Sequence, residues 1–313
     1  MTTAQKVIKL LEDKKILREQ NCIGDTKIEF VSCDSRSVKP NTIFFCKWIL
    51  SHKKPEYLTQ AINEGATIYV SEEKFEDVDL QYIIVNDIQK AMAIVAAEFY
   101  EYSFKDLITT GITGTKGKTT VTMFIKNILD EYTNSDTPLS CTIRYYTGIT
   151  DEPAHNTTPE PIDLQRFFYE SKKTKAKYAT MEISSQSYKR DRAYGVTFDN
   201  GIFINIVEDH ISNVEHPTFE DYLQCKIQLL KNSKRAIVNK NMDYFDVVCS
   251  ECKGKELLTY GTDATATYYY KNVKKLEKGF EFDAISEKFN YNHRFKISML
   301  GRFNIENALA AIT

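Results

Sequence analysis

The stretch GITGTKGKTTVTMFIKNIL, residues 111–129, decides the fold of this chain. The apolar segment LITTG (107–111) feeds a glycine-rich turn, and the turn opens onto residues with helical spacing. A strand, a glycine turn and a helix N-terminus make an anion site. Backbone N–H groups converge there, and the helix dipole favours negative charge. Lys118 would neutralise β- and γ-phosphates, and Thr119 would offer its hydroxyl to Mg2+. The common phosphate loop has four residues between its first glycine and the Gly-Lys pair. Here five separate Gly111 from Gly117, and Ile112 takes the place of that glycine. A plain glycine turn is the bland alternative. Gly114, Gly117, Lys118, Thr119 and Thr120, crowded between strand and helix, argue against it.

Outward from the loop, strand candidates recur at KYATMEI (177–183), FDNGIFINI (198–206) and RAIVN (235–239), with helical segments between them. That order predicts an α/β fold with a mostly parallel sheet and helices on both faces. Residues 264–300 alternate with period two and predict antiparallel strands appended to the sheet. Before the loop, TIFFC (42–46), TIYVS (67–71) and YIIV (82–85) read as buried strands, and EYLTQAINEGA and KAMAIVAAEFY as helices. Val7, Leu10, Leu11, Ile16 and Leu17 have helical spacing, without the continuous apolar core of a signal peptide. A boundary near residue 105 gives a small N-terminal α/β domain (1–105) and a central phosphate-loop domain (106–313). NIENALAAIT (304–313) reads as a helix in progress, with no Gly stop, basic last turn or Pro. A missing C-terminal region is therefore expected.

A length of 313 residues accommodates two domains. Apolar residues make up 42% and charged residues 27%, as in ordinary globular proteins. The net charge of −2 argues against a general nucleic-acid or membrane-surface binder. No apolar run approaches the roughly 20 residues of a membrane span. Seven scattered cysteines fit reduced thiols in the cytoplasm better than a disulfide framework. The CxxC at Cys249–Cys252 has no second pair at zinc spacing.

The loop variant GxTGTxGKTT resembles the ATP loop of the Mur ligases and of folylpolyglutamate synthetases. The resemblance extends along the chain. DSRSVKPNTIFFC (34–46), HNTTPEP (155–161), MEISSQSYKRDR (181–192), NIVEDHISNVEHPTFEDYLQCK (205–226) and LGRFNIENALAA (300–311) are similar to ordered motifs of the MurE-type UDP-N-acetylmuramoyl-tripeptide synthetases. Such enzymes use ATP to phosphorylate the carboxylate of a UDP-sugar peptide. An amino acid then attacks the acyl phosphate, and phosphate leaves.

The resemblance implies the roles that follow. Gly114, Thr115, Lys116, Gly117, Lys118, Thr119 and Thr120 cradle ATP, and Asn304 meets the adenine; the alternative for Asn304 is a helix N-cap. Thr119, Glu182, His210 and Lys226 bind Mg2+, with Lys226 carbamylated by CO2 so that a cation becomes an anionic ligand. The bland alternatives are a solvated strand-end acid, a structural histidine and an exposed helix lysine. Lys118, Glu182, His210 and Lys226 are the catalytic set. Ser35, Arg36, Thr157, Thr158, Ser184 and Arg192 hold the UDP-N-acetylmuramoyl-peptide. A cytoplasmic monomer is expected, with no nucleic-acid or membrane partner.

Several positions depart from the family pattern. Gln186 replaces a histidine, Ser212 and Val214 replace Asp and His, and Trp48 and SHKKPEYL (51–58) replace a glycine and DGHDF. The family's third domain, which carries amino-acid specificity, has no motif before Thr313. Three alternatives remain open. One is an amide ligase of lipid-linked precursors, which usually carries a four-cysteine zinc ribbon. Another is a folylpolyglutamate synthetase, which lacks the DSR-containing first domain. The third is a non-catalytic nucleotide- or UDP-sugar-binding protein.

Overall fold

A computed structural model describes residues 2–47 and 55–313. Trp48 and the segment SHKK lie outside the described residues. The chain divides into two compact units. The first comprises Met1–Ser103 with Pro159–Tyr169 and Arg190–Gly195, and the second the remainder.

In the first unit, helix α1 (Ala4–Asp13) is capped by Thr3, whose side chain accepts the Lys6 N–H. It buries Ala4, Val7, Ile8 and Leu11. The helical spacing read through Leu17 ends earlier than expected. Lys15 takes a left-handed φ of 58°, and Leu17 begins strand β1 (Leu17–Gln20), paired with Val85. Strands β2 (Phe30–Ser32) and β3 (Thr42–Phe45), helix α2 (Pro55–Asn63), strands β4 (Ala66–Ser71) and β5 (Gln81–Val85), and helix α3 (Ile88–Phe99) complete the alternation. The sheet order is β1-β5-β4-β3-β2, parallel except for β1. Ile43, Phe45, Ile68, Val70 and Ile83 share a core with α1, α3 and Ile162.

The second unit begins with β6 (Ile108–Thr113), buried from Thr109 onward, which runs into the glycine turn and helix α4 (Lys118–Thr133). Then come short strands β7 (Leu139–Ser140), β8 (Arg144–Tyr146) and β9 (Asp151–Pro153), and helix α5 (Pro161–Lys173), which starts in the first unit. Next are β10 (Tyr178–Glu182), α6 (Ser185–Lys189), β11 (Phe198–Phe203), α7 (Phe219–Lys231), β12 (Ser233–Asn239), α8 (Phe245–Ser250) and β13 (Glu256–Gly261). A meander of β14 (Tyr268–Leu276), β15 (Gly279–Ser286) and β16 (Tyr291–Ile297) precedes α9 (Phe303–Ile312). Among the described residues one eleven-stranded sheet forms, ordered β9-β8-β7-β10-β6-β11-β12-β13-β14-β15-β16. The run from β7 to β14 is parallel. The meander is antiparallel, as its period-two pattern requires. Ile112, Val121, Ile125, Ile202 and Ile204 pack with α9 residues Ile305 and Leu309. This order places the carboxyl ends of β10, β6 and β11 side by side, where ligands bind in open parallel sheets. No described helix is long and apolar enough to cross a membrane.

Candidate functional site

The loop between β6 and α4 owes its shape to Gly117 and Asn205. Gly117 has φ 89°, a left-handed conformation, and a Cβ there would lie 2.7 Å from Asn307 Oδ1 on α9. Asn205 follows β11 and staples the turn. Its Oδ1 accepts the N–H of Thr115 (3.0 Å) and of Lys116 (3.1 Å), and its amide donates to Lys116 O (2.9 Å). The Thr115 hydroxyl is committed to protein, meeting Tyr222 Oη at 3.1 Å and accepting Val207 N–H at 3.1 Å. Lys116 points to solvent, and Thr120 is half-buried in the first turn of α4.

Lys118 opens α4 and donates to the carbonyls of Gly114 (2.9 Å) and Thr115 (3.1 Å). Lys226, on α7, donates to the same Gly114 carbonyl at 2.8 Å. It is only 2% exposed and stands 4.6 Å above the Tyr222 ring. Burial pushes the Lys118 ammonium below its usual pKa, against the pull of Glu182 and Asp209. Burial, and then the Lys118 charge, push Lys226 well down. The exposed-helix alternative for Lys226 is thereby overturned: the apolar stripe of α7 faces the sheet and carries this lysine inward.

Glu182 ends β10 and is fully buried. Its Oε1 accepts Thr119 Oγ1 at 2.6 Å and Thr142 N–H at 3.1 Å, and its Oε2 accepts Thr142 Oγ1 at 3.0 Å. The solvated-acid alternative is overturned too. Buried carboxylate and hydroxyl oxygens are the hard donors that Mg2+ takes, so Glu182 and Thr119 fit that ion. Thr158 Oγ1 donates to the Glu182 carbonyl (3.0 Å) and accepts Ser184 N–H (2.9 Å), and Thr142 Oγ1 lies 3.2 Å from Thr157 Oγ1. The structure thus brings together Lys118, Thr119, Glu182, Lys226, Thr157, Thr158 and Ser184.

His210 lies on the loop after β11 with a left-handed φ of 59°. Its side chain is half exposed and faces Glu215, 3.0 Å from Nδ1. Asn304 is not a cap, because Arg302 holds that place without a side-chain bond. Asn304 is buried in α9, donating to Leu300 O (2.7 Å) and accepting from Asn307 (3.0 Å).

The remaining candidates belong to the first unit. The Ser35 hydroxyl donates to Gln60 at 2.7 Å, and Arg36 pairs with Asp34. Arg192, assigned from sequence to the central domain, lies in the first unit. It meets Glu160 at 2.9 Å, and Lys47 bonds the other oxygen of that carboxylate at 2.6 Å.

Sequence reasoning missed His216 and Tyr222. His216 is fully buried and bonded to Ser185, Asp221 and Gln186, whereas Val214, at the position compared with a family histidine, is 68% exposed. Ser212 turns the loop, bonding the His216 carbonyl through its N–H (2.8 Å). Among the described residues, His216, Asp221 and Cys225 are the one set of three His, Cys, Asp or Glu side chains close enough to share a metal ion, and Cys249 and Cys252 are not part of it.

Residues 112–313 match the Mur ligase middle domain. The chain is 38% identical over 329 residues to a UDP-N-acetylmuramyl-tripeptide synthetase of Ligilactobacillus salivarius, covering 97% of this chain and 63% of that protein. It is 40% identical over 318 residues to a UDP-N-acetylmuramoyl-L-alanyl-D-glutamate--L-lysine ligase of Streptococcus suis, covering 99% and 63%. The chain therefore spans less than two thirds of these curated relatives. In fold it is similar to a solved UDP-N-acetylmuramoyl-L-alanyl-D-glutamate--2,6-diaminopimelate ligase, with TM-score 0.81 and 24% identity over 100% of this chain and 63% of the other.

Proposed function

This chain belongs to the Mur ligase family, and on that premise we propose that it carries the nucleotide- and UDP-substrate-binding parts of an ATP-dependent amide ligase. The enzyme adds an amino acid to UDP-N-acetylmuramoyl-dipeptide during peptidoglycan precursor synthesis, as a monomer in the cytoplasm. Relatives named as lysine ligases make lysine the first amino acid to test.

One observation carries this reading: the amines of Lys118 and Lys226 converge on the Gly114 carbonyl, while Thr119, beside Lys118, bonds the buried Glu182. A carboxylate attacking a triphosphate brings anions together, and positive charge must screen them. Lys118 meets the β- and γ-phosphates, helped by the N-terminal amides of α4. Thr119 and Glu182 would hold Mg2+, with His210 as a further candidate ligand, and the ion would supply screening of the developing charge. The lowered pKa of Lys226 favours a neutral fraction of its amine, which could add CO2 with loss of a proton; the carbamate would then be an oxygen donor suited to a second Mg2+. Thr157, Thr158 and Ser184 orient the sugar–peptide, and Asn304 holds the adenine side of the site. Ser35, Arg36 and Arg192 bind the UDP-linked substrate from the first unit, Arg192 through charge-assisted bonds.

The test is phosphate release by the full-length protein given ATP, UDP-N-acetylmuramoyl-dipeptide and one amino acid at a time. Release that depends on both the dipeptide and lysine, and that Lys118→Ala abolishes, is the expected result. Release independent of the dipeptide, or none with any amino acid, would overturn the reading.

A further inference from the structure

Ser185, His216 and Asp221 form a hydrogen-bonded line that the nucleotide chemistry does not use. His216 is fully buried. Its Nδ1 lies 2.6 Å from Asp221 Oδ2, and its Nε2 lies 2.9 Å from Ser185 Oγ and 3.3 Å from the Gln186 side-chain nitrogen. An ionised carboxylate only accepts, so Nδ1 carries the proton. Burial opposes the Asp221 charge, but bonds from Lys189 and His216 outweigh it and hold the carboxyl below the usual range. Nε2 then faces two donors, the Ser185 hydroxyl and the Gln186 amide, and is itself the acceptor. A cation bound by His216, Asp221 and Cys225 would displace the Nδ1 proton and sit beside the Lys189 ammonium, 2.7 Å from Asp221. The charges therefore favour a proton.

The two ends of this line stand on different elements of the site. Ser185 begins α6, three residues after Glu182 and next to Ser184. Asp221 lies in the first turn of α7, the helix that carries Tyr222 and Lys226. Tyr222 packs its ring edge-on to His216, with centroids 5.2 Å apart, and reaches Thr115 of the phosphate loop through its hydroxyl. We propose that Asp221–His216–Ser185 is a positioning device in which one imidazole, fixed as the Nδ1–H tautomer, sets the spacing between the Glu182–Ser184 segment and the helix bearing Lys226. His216 is a positioning residue and contacts no substrate. The catalytic consequence rests on the function proposed above, whereas the tautomer does not.

The experiment has two arms. In this chain labelled with 15N-histidine, His216 shows a protonated Nδ1 and an unprotonated Nε2. Asp221→Asn inverts that tautomer: the Lys189 ammonium keeps the amide oxygen on its own side and turns the NH2 toward Nδ1. In the full-length protein, Asp221→Asn lowers kcat about 10- to 100-fold while KM for ATP changes little, as for other residues that orient a site from behind. Ser185→Ala, which keeps the tautomer but cuts the link to α6, lowers kcat similarly, and it decides the matter if Asp221→Asn fails to fold. A wild-type ring protonated at Nε2, or full kcat in Ser185→Ala, overturns the proposal. If the wild-type protein ligates nothing, the function proposed above fails. The device is then decided by the tautomer together with hydrogen exchange at the first turns of α6 and α7, which Ser185→Ala must accelerate.

Discussion

Lys226→Met should make the protein more stable at neutral pH while removing the ligase activity proposed above. The lysine is 2% exposed, and its amine donates to Gly114 O at 2.8 Å. Losing a bond from a charged donor costs about 1.5–3 kcal/mol. The Gly114 carbonyl keeps Lys118 at 2.9 Å, so no acceptor is orphaned. The thioether retains a favourable contact with the Tyr222 ring. Against this loss stands the cost of a buried ammonium next to Lys118. Each unit by which its pKa falls is worth about 1.4 kcal/mol. The unfolded chain keeps this proton up to the ordinary value of 10.5, whereas the folded chain gives it up earlier. The expected net gain for methionine at pH 7 is about 1–4 kcal/mol, the range found when buried charges give way to apolar side chains. The pH dependence has a definite sign. The folded state binds this proton less readily than the unfolded state. Wild-type stability therefore rises with pH from the folded pKa toward 10.5, and the variant lacks that slope. Urea titrations in bicarbonate-free buffer at pH 7 and pH 10 measure both effects. A variant less stable than wild type at pH 7, or a margin equal at both pH values, refutes the reasoning.

Other perturbations probe the same site. Gly117→Ala forces a Cβ to within 2.7 Å of Asn307 Oδ1 at φ 89°. It should cost about 1–3 kcal/mol and weaken ATP binding, read by urea titration and calorimetry; an unchanged midpoint would contradict the loop geometry. Glu182→Gln turns one of two accepting oxygens into a donor facing Thr119 or Thr142. The Mg2+ concentration for half-maximal ATP binding should rise about tenfold or more, and an unchanged requirement would remove Glu182 from the metal site. UDP-N-acetylmuramoyl-dipeptide at 100 times its Kd should stabilise the chain by about 2.7 kcal/mol. An equal thermal shift from UMP at the same concentration would deny the peptide a role.

The parts of this fold that were legible in sequence are those written in local patterns. The turn GTKGKTT between a buried strand and a helix placed Lys118 and Thr119, and period-two alternation across 268–297 placed the meander. What escaped depends on contacts distant in sequence. Leu17 looks helical by spacing, but it pairs with Val85 across the first sheet. Arg192 follows the central-domain motifs, yet its partner Glu160 and that residue's partner Lys47 tie it to the first unit. His216 sits in a polar run, NVEHPTF, without periodicity. Only the fold brings Ser185, 31 residues earlier, against its ring. The Thr115 hydroxyl looked available for phosphate but is held by Tyr222, 107 residues away.

The central claim is that Lys118, Thr119 and Glu182 serve one nucleotide. Calorimetric titration of this 313-residue chain with ATP, with and without Mg2+, tests it most directly when Lys118→Met is run beside the wild type. The account predicts Mg2+-dependent binding in the wild type and at least tenfold weaker binding in the variant. Superimposable isotherms for the two proteins would contradict it.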